Sequence, residues 1–383
     1  MLTNPPPPPP PLYPPTSPHT SSTQTQTGLA RFAKPDFQVT RMHEEFVWLF
    51  ERYTENPVNA GFIIPPPPPK PDFSQSHGKL AKLQSGDAQT PQEELEKLKQ
   101  EIQSEYLAAF QKTVAMHEVF LIRLASHPVL KEDQNLQLFL EYDSDLATKK
   151  KSKKDAMMGM FSSVAKSLDN TLAKHVDEDE FFESQKAFIF HYTRTIGAAG
   201  ITADEKCKQR SKLTSGIGNL GVAIKHLANT QHAAYTMSEV MRKMGESHTP
   251  WQSIEKKLSA KEDLKMTDRL KYYSDDSEAA KDLMTRRVKA LIHAAQCEKN
   301  LAAAKTKGKK VLESQDAATQ AKDKFEHISK TAKEEMKVFK KRRVAAFRKG
   351  LIQYAQCQIR QSRECYALMR QTLLSLKELQ ATA

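Results

Sequence analysis

Glycine is scarce in this chain and cysteine scarcer: 13 glycines and 4 cysteines among 383 residues, against 21 prolines. Cys207, Cys297, Cys357 and Cys365 form no CxxC pair and all lie in helical-looking sequence. That excludes a disulfide framework or a thiolate metal site as the organising feature, and a reducing compartment fits. No apolar run approaches the ~20 residues of a membrane span. The N-terminal stretch lacks the basic-then-apolar order of a secretory signal, so membrane contact is read as peripheral. There is no Walker loop, no GxSxG, no HExxH and no GxGxxG following a strand. The 12 histidines are scattered; His191, His226 and His293 fall in helical sequence, where surface or core roles are commoner than ligation. The chain therefore reads as a non-enzyme, with no cofactor and no metal.

What is present favours long helices. Most prolines sit in two tracts, Pro5–Pro11 and Pro65–Pro69, so the remainder is nearly free of helix breakers. Charged residues make up 27% and aromatics 8%, which suits elongated helices with wide solvated faces. The formal net charge of +12 fits an anionic partner, either nucleic acid or the cytoplasmic face of a membrane, and equally fits a basic rod kept soluble. No nucleic-acid motif accompanies the charge, so nucleic acid is not expected as a partner.

Residues 1–34 read as a disordered Pro/Thr-rich tail, with polyproline II character and a possible use by SH3 or WW partners. DFQVTR at 36–41 alternates as a short strand, and HEEFVWLFERYT spaces Phe46, Leu49, Phe50 and Tyr53 as a helix. The proline run ending in Lys70 is an extended loop, because proline denies the backbone both donor and helix. Residues 91–125 are helical, SHPVL breaks that helix, and NLQLFLEYD at 135–143 reads as a short final helix. A lysine run that includes Lys153 and Lys154 then leads into Met157, Phe161, Val164 and Leu168 at helical intervals. That is an amphipathic helix with a basic entrance, fit either to lie in a membrane interface or to pack as a linker. Beyond about 178 the chain is helical, and Pro250 marks a kink or a helix start. A seam from Phe325 through Phe347, Leu351, Tyr354, Ile359, Tyr366 and Leu373 needs a neighbour or a second chain to cover it. Arg342, Arg343, Arg348 and Lys349 are the basic candidates for facing a membrane; solvated helix surface is the plainer reading.

At this point the chain resembles the sorting nexins. VTRMHEEFVWLF, the proline loop, EYLAAFQKTVAMHEVF, ASHPVL and FLEYD resemble the PX domain of the subgroup five, six and thirty-two. SAKEDLKMTDRLKYY, AAKDLMTRRVKALI, KFEHIS and KKRRVAAFRKGLI resemble its BAR domain. The resemblance runs from about residue 35 to the end of the sequence. It implies endosomal cargo sorting in retrograde endosome-to-Golgi transport, a cytoplasmic protein peripheral on early endosome membranes and tubules, and heterodimers with a sorting nexin one- or two-type partner. It also implies cargo receptor tails and an anionic or phosphoinositide-containing membrane as ligands. In the family a second arginine grips the 3-phosphate; Met42 fills that place, leaving Arg41 and Lys70 as residual phosphate candidates. The subgroup's helical hairpin insertion, here 73–116, carries a cargo-peptide groove. Tyr106, Leu107, Phe110, Val114 and Glu118 match its positions, and the peptide adds as a strand. Read from spacing alone, the same side chains are ordinary intradomain core.

The expected fold is mainly α. A partial α+β PX-like domain (35–145), lacking its first strands and so left with an unpaired sheet edge, precedes the amphipathic helix (146–175) and an elongated three-helix BAR-type dimerisation domain (176–383). The alternatives are a soluble helical adaptor without membrane activity, or a truncated variant that only competes for BAR partners.

Overall fold

The structure is a computed structural model; it describes residues 20–70, 92–144, 146, 177–230 and 235–381. The amphipathic segment with Lys153, Lys154, Met157, Phe161, Val164 and Leu168 lies outside the described residues, as do residues 73–91 of the expected hairpin. Two compact units emerge, Met1–His175 with Thr285–Thr331, and Val176–Met284 with Ala332–Ala383.

In the first unit β1 (Thr20–Gln26) pairs antiparallel with β2 (Asp36–Met42), Ser21 opposite Arg41 and Thr25 opposite Phe37. The strand β1 corrects two expectations: the tail does not run featureless to 34, and the domain does not lack every strand ahead of β2. TSSTQTQ contains no apolar residue, so hydrophobic periodicity gives no sign of it; its threonines are nonetheless good strand formers. Inward positions Ser21 and Val39 are buried, while Ser22, Gln24, Gln38 and Thr40 face water.

The chain passes directly from β2 into α1 (His43–Glu55), whose buried face is Phe46, Leu49 and Tyr53. A short 3-10 turn (Pro57–Gly61) and the proline run follow. Then come α2 (Gln92–Ala125) and, after the SHPVL break, α3 (Gln134–Glu141), whose N-cap Asp133 accepts from the Asn135 N–H at 2.7 Å. Phe46, Leu49, Tyr53, Ile64, Phe120, Leu124, Leu130, Leu136 and Phe139 form one core. At Gly61 the backbone comes so close to α7 (Val311–Ala381) that an added Cβ would lie 2.9 Å from Cβ of Thr331.

Arg41 closes this module. It is 1% exposed, and its Nε donates to the Phe139 carbonyl at 2.8 Å. Its Nη1 donates to Glu45 at 3.1 Å and to the Ser144 carbonyl at 3.3 Å, and its Nη2 to the Tyr142 carbonyl. Glu45, equally buried, also accepts the backbone N–H of Met42 at 2.7 Å and of Leu146 at 3.1 Å.

The second unit is helical: α4 (Glu180–Asn229), α5 (Tyr235–Glu262), a π turn (Asp263–Thr267), the start of α6 (Asp268–Lys307) and the later part of α7. Pro250 lies inside α5, so it starts no helix. The 71 residues of α7 correspond to about 105 Å. Gly221 of α4 meets α5 closely: a Cβ there would fall 2.5 Å from Cβ of His248. The apolar packing of Phe182, Ile189, Ile196, Leu258, Leu283, Met336 and Phe339 is joined by a polar layer centred on the buried Glu255 and Glu262. In that layer Arg210 reaches Glu255 at 2.7 Å and Glu262 at 2.8 Å, Lys206 reaches Glu262 at 2.7 Å, and Gln361 donates to Glu255 at 2.7 Å.

Because Arg41 and Glu45 are buried together, removing one leaves the other uncompensated. Arg41→Met should destabilise the N-terminal module by about 3–5 kcal/mol, and the double change Arg41→Met, Glu45→Leu by clearly less. Urea unfolding followed through Trp48, which packs against the core, measures both; a double variant worse than the single would contradict the pairing.

Candidate functional site

Tyr106, Phe110, Val114 and His117 recur at intervals of four, four and three along α2, so they share one helix face. Tyr106, Phe110 and Val114 are half-buried, and Leu107 and Glu118 beside them are exposed. Residues buried from the same helix are Ile102, Thr113, His117, Phe120 and Leu124, so the core takes one flank of the helix and this stripe lies at its margin. Burial raises the Tyr106 hydroxyl pKa, as expected for a ring only part of which meets water.

At its C-terminal end the stripe meets the sheet. His117 is 2% exposed, stacked on Phe46 with ring centroids 3.8 Å apart. Its Nδ1 lies 2.8 Å from Ser21 Oγ on β1 and its Nε2 lies 3.2 Å from His43 Nδ1 on α1. Burial, and secondarily the neighbouring His43, push its pKa down to about 4. Among the described residues β1 pairs only with β2, so its other edge offers free N–H and C=O groups. His117 and β1 were not among the positions singled out from the sequence. A lone histidine on a mixed helix face carries no signal, and a strand of Ser, Thr and Gln carries little.

The residual phosphate candidates do not form one site. Arg41 is sealed inside by four acceptors, which corrects its reading as a phosphate ligand, and Lys70 is exposed at the end of the proline run. Met42 is half-buried, and its side chain has no donor to offer.

The basic cluster of α7 is split in a similar way. Arg342 pairs at 2.9 Å with Asp276, which is fully buried. Arg343, 9% exposed, lies over the rings of Tyr192 at 4.2 Å and Phe188 at 4.5 Å. Both are engaged in helix packing, which corrects their assignment to a membrane-facing surface. Arg348 and Lys349 are exposed, together with Lys337, Lys340 and Lys341. These cations flank exposed Val344 and Ile352 on the same helix. The seam continues at seven-residue steps through Ile359, Tyr366 and Leu373, each more than half exposed. Arg286 and Arg287 are likewise engaged: Arg286 donates to the Phe62 carbonyl at 2.6 Å, and Arg287 to Ser329 at 2.9 Å.

Comparison with known proteins completes the picture. A PX domain model matches residues 29–143, and a model described as Vps5 C terminal like matches 155–374. Sorting nexin-6 of Homo sapiens is 40% identical over 353 residues, covering 92% of this chain and 86% of the relative. This chain belongs to the sorting nexins. Sorting nexin-32 of Homo sapiens is 39% identical over 358 residues, covering 92% of this chain and 88% of that one. In fold, the chain is similar to the SNX-BAR Mvp1 tetramer solved by cryo-EM, with a TM-score of 0.50 at 14% identity over 92% of this chain and 94% of that one. PX–BAR sorting nexins are scaffold proteins peripheral on endosomal membranes, and that coarse description applies to this member. Among the described residues no helix is long and apolar enough to cross a membrane.

The depressed His117 pKa sets a pH dependence. The folded chain keeps this imidazole neutral down to about pH 4, whereas the unfolded chain takes the proton near pH 6.5. Acid therefore favours unfolding. The contribution of His117 is complete above about pH 6.5, declines as pH falls, and is lost by about pH 4, a change of roughly 3 kcal/mol. Urea unfolding of the N-terminal module at pH 7, 5.5 and 4 should show this decline and His117→Gln should flatten it; equal slopes in both proteins would contradict the assignment.

Proposed function

We propose that this sorting nexin is an endosomal sorting scaffold that dimerises through its helical half, binds curved anionic membrane by charge, and recruits cargo-receptor tails for retrograde endosome-to-Golgi transport. The observation that carries the reading is the exposed heptad-spaced seam of α7, Ile352, Ile359, Tyr366 and Leu373. Apolar side chains repeated along one helix face are stable in water only when another helix covers them. Basic residues dominate beside that seam, at Lys340, Lys341, Arg348, Lys349, Arg360 and Arg363. A like-charged copy laid alongside would be repelled, which favours a different chain as partner, and a sorting nexin of the one or two type is the partner proposed.

Membrane attraction belongs to the exposed lysines and Arg348 rather than to a phosphate pocket, since Arg41 is engaged internally. Attraction of that kind is long-ranged and weakens with salt. For cargo, the half-exposed stripe of α2 and the edge of β1 that pairs with no other described strand favour an extended peptide that adds as a strand. Backbone pairing would supply affinity, and alternate side chains resting on Tyr106, Phe110 and Val114 would supply choice.

Two measurements on the full chain separate these roles. Tyr366→Glu with Ile359→Glu should reduce co-purification of a sorting nexin one-type partner at least tenfold while leaving capture of synthetic receptor-tail peptides intact. Val114→Asp should do the reverse. Undiminished partner binding in the first variant would sink the dimerisation seam; undiminished peptide capture in the second would sink the groove.

A further inference from the structure

Strand β1 has almost nothing apolar to hold it in place. Its sequence is TSSTQTQ, and Ser21 is the one side chain of Ser21–Gln26 that is buried. A polar strand attached to one neighbour has a weakly specified register, and a one-residue slip would turn every side chain to the opposite face. The ladder to β2 is therefore not enough to fix where its free edge lies. The side-chain bonds of this strand to β2, from Gln38 to Ser22 and from Gln24 and Gln26 to Asp36, lie in water at the surface, and its one buried side-chain bond is Ser21 Oγ to His117 Nδ1 at 2.8 Å.

His117 is fixed independently of the strand. Its ring lies flat on Phe46, with an interplanar angle of 8°, and Nε2 is engaged with His43. A neutral imidazole has one donor and one acceptor nitrogen, and the array is satisfied both ways round. Either Ser21 donates to Nδ1 while Nε2–H donates to His43, or both bonds are reversed. Phe46 and His43 belong to α1, His117 to α2 and Ser21 to β1, so one ring joins three elements. It also sits on the same face of α2 as Tyr106, Phe110 and Val114.

From this we infer that His117 is a positioning residue for the peptide groove: it pins β1 to α2 in one register, and the sheet edge offered to an extended peptide exists only while the Ser21–His117 bond is made. The inference deepens the groove reading given above and rests on it for its functional meaning. The structural half, the pin itself, stands alone.

Hydrogen exchange on the full chain tests the pin. Ser21→Ala and His117→Leu should each speed exchange of the Ser21–Thr25 amides at least tenfold, leaving those of Leu136–Leu140 in α3 unchanged. His117→Gln, whose amide can still bond the serine hydroxyl, should recover most of the protection. Should His117→Leu fail to fold, Ser21→Ala, which leaves the ring on Phe46, decides the matter. Wild-type exchange of β1 in Ser21→Ala would overturn the inference, as would a loss of protection spread evenly through α1 and α3. The same variants are offered the panel of synthetic receptor-tail peptides. Capture lost in step with β1 protection supports the positioning role, and capture retained on a loosened strand overturns it. A wild-type chain that captures no tail peptide, yet whose β1 exchange responds as described, refutes the groove and leaves the pin standing.

Discussion

A guanidinium taken out of water must be surrounded by acceptors, and Arg41 is. Three carbonyls around the end of α3 and the Glu45 carboxylate converge on it, and Phe139 lies under its plane at 5.2 Å. The last residues of the N-terminal module are thereby bound back to the β2–α1 junction, where Glu45 also caps the helix start through the Met42 N–H. The position of α1 follows from this, and with it Phe46, the stacked His117 and the strand that His117 reaches. The same arrangement keeps Arg41 itself from phosphate. An arginine held by four internal acceptors has no grip to offer a phosphate, and its neighbour is an uncharged methionine.

The helical unit relies on a different balance. Beside its apolar packing runs a connected layer in which the buried Glu255 and Glu262 meet the partly buried Arg210 and Gln361 and the exposed Lys206. Removing one partner from such a layer leaves a buried charge, so it favours one alignment of α4, α5 and α7 over shifted ones. The outer face of α7 retains an apolar seam bordered by cations. That surface is the one the proposed function gives to a covering partner chain.

Much of this was legible in the sequence because apolar spacing reports it directly. DFQVTR alternates and is β2; Phe46, Leu49 and Tyr53 step by three and four and form the buried face of α1; SHPVL breaks a helix that does end at Ala125. The long C-terminal helix is likewise announced by its seam and its lack of proline. What escaped was carried by polar residues, whose direction spacing does not reveal. TSSTQTQ is a strand with no hydrophobic mark. Arg342 and Arg343 stand in a run of four consecutive basic residues, and nothing in the run indicates that these two turn inward to Asp276 and Tyr192 while Lys340 and Lys341 stay in water. Pro250 looks like a boundary but lies within α5 on its exposed side. His117 is one histidine among twelve, and its importance depends on a serine 96 residues away.

The proposed function has this scaffold attach to membrane by diffuse charge, through exposed cations such as Lys340, Lys341 and Arg348, rather than by reading one headgroup. Flotation of the full chain with vesicles matched in surface charge, one set with phosphatidylinositol 3-phosphate and one with phosphatidylserine, tests that most directly. The account predicts equal binding to the two at equal charge, falling together as salt is raised. Binding that follows the 3-phosphate at matched charge would contradict it.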